Sequence, residues 1–376
     1  MRVERVEREV LEAFGLTENI IGVVPYGNGH INDTFALEQM TEEGRKRYII
    51  QHMNKAVFRE PAKLMENISG VTTWLRKKII QAGGDPERET LNVRDTVDGK
   101  SSYEDKDGEF WRVFPFVEDA VCYEQVKCPD DFYQSALAFG NFQRLLADYP
   151  AHTLYETIPD FHNTPKRYRD FLKAVEEDRE GRVCEVQKEI DFVKAREAYT
   201  RTLYDLQKNE EIPLRVTHND TKLNNILIDN ETGKGICVID LDTVMPGLAA
   251  NDFGDSIRFG ASTAVEDERD LSKVSCDLKL FEVYTRGFME GCAGALTEKE
   301  IECLTDGAIM MTLECGIRFL TDYIEGDHYF RIHRPGQNLD RARTQFTLVQ
   351  DMENKKTRMN EIVRKIAKEA AGYENL

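Results

Sequence analysis

The sequence predicts an α+β protein of two unequal lobes, a small β-rich lobe at the N-terminus followed by a larger, mainly helical one. Three observations predict it. Short β-like runs crowd the first third of the chain, whereas from about Pro129 onward apolar residues recur at helical spacing. Two further β-like islands interrupt the helical part, and polar residues gather at their ends. No internal repeat is present, which argues against a solenoid or a propeller.

In the first lobe the β-like runs are Val23 to Tyr26, Thr34 to Leu37, Tyr48 to Gln51 and Phe110 to Phe114. Between them, Leu64, Ile68, Val71, Leu75 and Ile79 recur every three or four residues and predict one amphipathic helix from Pro61 to Ile80. The run Val113-Phe114-Pro115-Phe116-Val117-Glu118-Asp119 ends a strand at a proline and reads as the hinge, dividing the chain into lobes 1–117 and 118–376. In the second lobe, Thr297-Glu298-Lys299-Glu300 is a capping-box pattern, and Met359, Ile362, Val363, Ile366 and Ala370 form a terminal apolar stripe. The islands are Arg215 to Thr217 and a hairpin pairing Asn225 to Ile228 with Gly235 to Asp240.

The 376 residues, 41% apolar and 31% charged, are ordinary for a folded globular chain, and no low-complexity tract stands out. The opening MRVERVEREVLEAF spaces Val3, Val6, Val10 and Phe14 helically among charges, unlike a secretory signal, and no stretch has membrane-spanning character. The eight cysteines form no CxxC pair, so reduced thiols in a cytoplasmic protein are expected. A net charge of -18 argues against nucleic-acid binding, which rewards clustered Lys and Arg.

The most informative segment is Thr217-His218-Asn219-Asp220-Thr221-Lys222-Leu223-Asn224-Asn225-Ile226-Leu227-Ile228, followed by Val238-Ile239-Asp240-Leu241-Asp242. Phosphoryl transfer needs a carboxylate beside the attacking hydroxyl and oxygen ligands that hold Mg²⁺ against nucleotide phosphates. Asp220 suits the first role, and Asn225 and Asp240 suit the second. His218 is expected to hold the turn by hydrogen bonding rather than to act as the base. Asp252-Phe253-Gly254 spells a metal motif of protein kinases but falls thirty-two residues past Asp220, so Asp252 and Asp255 are expected to cap a helix or bind loop amides. Asp242 is expected on the same strand as Asp240, as a further ligand or its support.

In the first lobe, Pro25-Tyr26-Gly27-Asn28-Gly29-His30-Ile31-Asn32-Asp33-Thr34 joins two strands, and glycines there let backbone amides approach phosphate. Candidate ATP contacts are Gly27, Gly29, Asn32 and Thr34 in this turn, Gln51 on the next strand and Phe116 at the hinge. Gln51 stands where many kinases carry a phosphate-gripping lysine. An ion pair of position 51 with Glu66 is therefore not expected, and Lys55 or Arg59 are alternative donors.

Together these residues resemble the aminoglycoside phosphotransferase and choline kinase superfamily, whose H-x-D-x4-N loop and following I-D motif match His218, Asp220, Asn225 and Asp240. The resemblance implies a protein-kinase-like bilobal fold with ATP and Mg²⁺ as cofactors. Within the superfamily, HNDTKLNNILID, VIDLDTVMPGLAANDFGDSIRFG, YGNGHINDTF and IPDFHNTPKRYRDF are similar to the N-acetylhexosamine 1-kinases. That likeness implies a small-molecule sugar substrate phosphorylated at its anomeric hydroxyl, with His30 and Arg318 hydrogen bonding the sugar and Phe259 and Tyr329 walling it. The competing reading of Arg318 is a helical pair with Glu314. Rival functions are a choline, ethanolamine or aminoglycoside kinase, and a noncatalytic nucleotide-binding module. A protein kinase is remoter, because no Ala-Pro-Glu follows Asp240.

Overall fold

A computed structural model describes residues 6–27 and 31–372. In chain order the first elements are α1 (Arg8–Ala13), β1 (Ile20–Pro25), β2 (Asp33–Thr41), β3 (Gly44–Met53), α2 (Pro61–Gln81), β4 (Tyr103–Glu104), β5 (Phe110–Pro115) and β6 (Ala120–Val121). Helices α3 (Pro129–Leu145), α4 (Thr164–Glu177), α5 (Gln187–Lys194) and α6 (Thr202–Lys208) lead to β7 (Arg215–Thr217), β8 (Ile226–Asp229), β9 (Gly235–Val238) and β10 (Met245–Gly247). The chain then runs through α7 (Ala249–Gly260), α8 (Leu278–Cys292), α9 (Glu298–Glu302), α10 (Leu304–Glu325) and α11 (Gln337–Gly372). No helix among the described residues is long and apolar enough to cross a membrane.

The chain forms two compact units. The first comprises Met1–Val121, Asp148–Pro159 and Leu227–Pro246, and the second Cys122–Ala147, Asp160–Ile226 and Gly247–Leu376. A single cut at 117/118 therefore differs from the observed division. The first unit ends a few residues later and recovers two later segments: the Asn67 side chain of α2 bonds the Tyr155 backbone, and β8 extends β6, pairing Asp229 with Ala120 and Ile228 with Val121.

In the first unit five strands pair in the order β1-β2-β3-β5-β4. Alternation sorts their side chains by face. Phe35, Leu37, Tyr48, Ile50, Trp111 and Val113 bury one face against Val10, Leu11, Phe14 and Leu16 from α1 and the turn after it. Each such large apolar side chain contributes roughly 1.5–3 kcal/mol when fully withdrawn from water. The opposite face carries Gln51 and Arg112 and meets α2, whose Met65 sulfur lies 4.0 Å from the Arg112 guanidinium. Proline at the first turn starts α2, and Leu64, Ile68, Val71, Leu75 and Ile79 are all buried, as their spacing predicts. The Thr297–Glu300 capping box is present, with reciprocal side-chain and backbone bonds.

In the second unit α10 is buried on nearly every side. It packs against α7 at two glycines. A Cβ on Gly254 would lie 2.3 Å from the Gly307 carbonyl oxygen, and one on Gly307 would lie 2.2 Å from that of Ala250. Only glycine allows helices this close. Gly254 of the Asp252-Phe253-Gly254 triplet thus serves helix packing.

Candidate active site

The sequence-predicted residues fall into both units. In the first unit, Gly27 takes a left-handed φ of 73°, as the turn after β1 requires. Gly29 and His30 lie outside the described residues. The ring of Phe116, just past β5, meets Tyr26 edge-on at 5.6 Å and carries the Arg47 guanidinium 3.8 Å above it. Thr34 and Gln51 are register partners across β2 and β3, and the Gln51 Nε2 donates to the Thr34 Oγ1 at 3.1 Å. Asn32 is likewise engaged: its Nδ2 donates to an Asp242 oxygen at 2.6 Å, and its Oδ1 accepts from the Asn54 amide at 3.0 Å. Lys55 donates to the Gly108 carbonyl, and Arg59 and Glu66 face solvent.

Strand β9 ends at Val238, so Asp240 and Asp242 do not share a strand. Asp240 adopts a left-handed conformation, φ 58° and ψ 57°, and opens a tight 3₁₀ turn from Leu241 to Thr243. Asparagine and aspartate accept that region more readily than most residues. The turn reverses the side chains: Asp242 points into the protein and ion-pairs at 2.5 Å with Arg112, both side chains almost wholly buried. Both Asp242 oxygens are thus engaged, one by Arg112 and the other by Asn32.

The second unit holds the loop from His218 to Asn225. Buried carboxylates of α7 pin it by accepting from its backbone. Asp252 accepts from the amides of His218 at 2.9 Å and Asn219 at 2.8 Å, and from the Gln143 side chain at 2.9 Å. Asp255 accepts from the Thr221 amide at 3.0 Å, while the Ser256 hydroxyl donates to the Thr221 carbonyl. Helix α7 begins at Ala249 after Leu248, so Asp252 lies in its first turn and is no cap. Burial pushes the Asp252 carboxyl above its usual range despite these donors. Asp255 feels the same burial, but Arg258 and Lys222 outweigh it and hold Asp255 low.

This scaffold presents the chemistry-bearing side chains. His218 is fully buried, edge-on to Phe139 at 5.5 Å, and its Nδ1 accepts from the Asp220 amide at 3.3 Å. That is the geometry of a turn holder. The Asn225 Nδ2 donates to the Asp220 carbonyl at 2.8 Å and to its carboxylate at 3.2 Å. With its nitrogen so engaged, the amide oxygen of Asn225 is the end left for a cation. Lys222, which the sequence reading passed over, places its ammonium 2.7 Å from the Asp220 carboxylate. Burial pulls Lys222 down, yet Asp220 and Asp255 override it and raise its pKa above the ordinary lysine value. The H-x-D-x-K spacing was the available signal.

Beside this loop, His162 contacts the Asn219 carbonyl at 3.4 Å and the Glu314 carboxylate at 2.8 Å, and Thr164 donates to Glu314 at 2.6 Å. Burial alone would raise Glu314, but His162 holds it below the usual carboxylate range. Glu314 is thus committed to His162 and Thr164, which displaces the helical Arg318–Glu314 pair. Arg318 instead donates to the Tyr329 hydroxyl at 3.3 Å and lies 5.2 Å from the Phe161 ring. A cavity of about 280 Å³ opens here, lined by Arg318, Tyr329, Phe330, Arg167 and Asp170 among others. Phe259, near the end of α7 and 36% exposed, does not line it. Phe161, His162 and Arg167 were not singled out individually, although all lie in the IPDFHNTPKRYRDF segment.

A β-rich unit with a glycine turn, and a helical unit carrying a pinned H-x-D-x4-N loop, define a phosphotransferase. A model of the phosphotransferase enzyme family matches residues 22–272, and the chain belongs to that family. Solved structures share the bilobal kinase-like fold. A microcompartment-associated aminopropanol kinase aligns with TM-score 0.59 at 15% identity, covering 94% of this chain and 97% of its own. Spectinomycin phosphotransferase in complex with ADP and spectinomycin aligns with TM-score 0.54 at 14% identity, over 92% and 97% of the two chains. Choline kinase from Cryptosporidium parvum gives TM-score 0.53 at 14% identity, over 90% of each.

Proposed function

We propose that the protein transfers the γ-phosphoryl group of ATP to the anomeric hydroxyl of an N-acetylhexosamine, giving the sugar 1-phosphate. Asp220 accepts the proton of the attacking hydroxyl, and Lys222 brings positive charge to the phosphoryl oxygens. Asn225, immediately before β8, is the candidate amide-oxygen ligand, and Asp240, two residues past β9, the candidate carboxylate ligand. That donor set suits Mg²⁺, which favours one or two carboxylates together with substrate phosphates. When bound, the ion would neutralise charge on the transferring group.

The observation that carries the acceptor class is the cavity of Arg167, Arg318, Tyr329 and Phe330. Its other two cations, Lys173 and Arg179, ion-pair with Glu177, whereas Arg167 and Arg318 have no carboxylate salt bridge among the described residues. Arg167 is depressed by burial and further by Arg318, and its buried Nε has no partner. The lining balances its four cations with Asp170, Glu177, Asp322 and Glu325, so the two unpaired guanidinium forks and the rings, rather than net charge, set the acceptor chemistry. Aromatic faces and forked donors suit the ring, hydroxyls and amide carbonyl of an acylated amino sugar.

An acceptor panel tests the reading. N-acetylglucosamine, N-acetylgalactosamine, the free amino sugars, choline, ethanolamine and an aminoglycoside are each incubated with Mg-ATP while ADP release is followed. The expected product is a sugar phosphate stable to alkali and labile to acid. Turnover with choline or an aminoglycoside and not with either acetylated sugar would overturn it.

A further inference from the structure

Position 51 of β3 carries an amide rather than a cation, and the neighbouring strand supplies the cation. Gln51 of β3 and Arg112 of β5 are direct register partners, so their side chains leave the same face of the sheet side by side. Arg112 is 1% exposed and among the largest fully buried side chains of the protein. Its Nε donates to the Gln51 Oε1 at 2.9 Å and its Nη1 donates to Asp242 at 2.5 Å. The second Asp242 oxygen accepts from Asn32, and Gln51 passes on a hydrogen bond to Thr34. One guanidinium thus joins the segment after the glycine turn, the nucleotide strand and the turn opened by Asp240. A lysine could not do the same, because it lacks the planar fork that donates to two acceptors in fixed directions.

We propose that Arg112 is a positioning residue that takes over, from one strand away, the organising role of the absent strand lysine, setting the Asp240 turn for its cation through Asp242. This rests on the reading of Asp240 as a Mg²⁺ ligand. Backbone geometry supports the coupling. Asp242 lies two residues from Asp240 in the same tight turn, whose far end is tied to α2 by the Asn67 amide bonded to the Val244 carbonyl at 3.1 Å. A shift of the Asp242 carboxylate is therefore transmitted to Asp240.

The test is the Mg²⁺ dependence of ATP-analogue binding, measured calorimetrically with a non-hydrolysable analogue on the full chain. In Arg112→Gln the Mg²⁺ concentration for half-maximal binding rises by about 10- to 100-fold, the range for losing a residue that orients a metal ligand. The double variant Gln51→Lys/Arg112→Gln, which moves the cation back across the strand pair, regains most of the loss. Arg112→Lys keeps the charge without the fork and falls between wild type and Arg112→Gln. It also provides a folded variant if Arg112→Gln is too unstable to assay. A merely structural ion pair predicts lowered thermal midpoints with unchanged Mg²⁺ dependence in every folded variant, and that result overturns the proposal. If the wild-type chain binds the analogue with no Mg²⁺ dependence, the metal reading of Asp240 fails as well.

Discussion

Two regions of the helical unit hold their side chains in opposite ways. The loop from His218 to Asn225 is over-determined: α7 carboxylates accept from the amides of His218, Asn219 and Thr221, and the loop's side chains are mostly buried. At the cavity, Asp322 pins the backbone in the same manner, accepting from the amides of His328, Tyr329 and Phe330, but the cavity-facing side chains are loosely held. Tyr329 is 64% exposed, and Arg318 is held by one 3.3 Å hydrogen bond and by ring contacts. The proposed function accounts for the contrast. A proton acceptor must meet the reacting hydroxyl within a few tenths of an ångström, whereas an acceptor pocket must admit and release its ligand.

The largest effect is expected where the rigid region meets the chemistry. Asp220→Asn should lower turnover by about 10²- to 10⁴-fold, the usual contribution of a positioned acid or base. Nucleotide affinity should be nearly unchanged, which calorimetry with ADP checks. Comparable loss of nucleotide binding would mean that Asp220 shapes the fold rather than the reaction. Next comes the scaffold. Asp252→Ala strands the buried amides of His218 and Asn219, each costing about 1–3 kcal/mol when unsatisfied, while the Gln143 nitrogen keeps its bond to the Val216 carbonyl. Gly254→Ala drives a methyl group into the α10 backbone and should cost roughly 1–3 kcal/mol or more. Urea unfolding measures both, and a change below 0.5 kcal/mol in either, about the ordinary surface-substitution range, would show the loop to be less constrained than its contacts indicate.

What the sequence made legible follows the same contrast. Local periodicity exposed α2, the long strands and the capping box, because each depends on residues a few positions apart. The loop motif was legible because Asp220 and Asn225 act within five residues of each other. Asp242 was misplaced because its partner Arg112 is 130 positions away and hidden in an apolar strand. Nothing in either local sequence reports that pairing. The two-residue strands β4 and β6 are too short to show alternation. Arg167 lay in a recognisable segment, but its lack of a carboxylate partner is a tertiary fact, readable only once Asp170 is seen paired with Lys166 and Glu314 with His162.

The open region should respond differently. Arg318→Ala removes a forked donor and one wall of the cavity. KM for the acceptor should rise about 10- to 100-fold, from roughly 1.5–3 kcal/mol per charge-assisted hydrogen bond. Thermal stability should change little. Arg318→Lys keeps the charge but not the fork and should rescue poorly. Equal loss in kcat with unchanged KM would place Arg318 at the transition state and narrow the contrast between the two regions.

The smallest effect is a pH signature in the hairpin between Asn225 and Asp240. Asp229, at the end of β8, accepts from the Thr232 hydroxyl and amide, both at 2.7 Å, and from Arg88 at 2.8 Å. The Thr232 hydroxyl, the Thr232 amide and Arg88, in that order, lower its pKa to about 2. An unfolded aspartate titrates near 3.9, so the folded chain binds this proton less readily than the unfolded one. Its contribution to stability is therefore complete above about pH 4 and fades as pH falls toward 2. Asp229→Asn should unfold earlier than wild type at neutral pH, and the gap should narrow over that acidic interval. A gap independent of pH between 5 and 2 would mean that the turn depends on hydrogen-bond geometry alone. The carboxylate charge would then add nothing to the hairpin that separates the two proposed cation ligands.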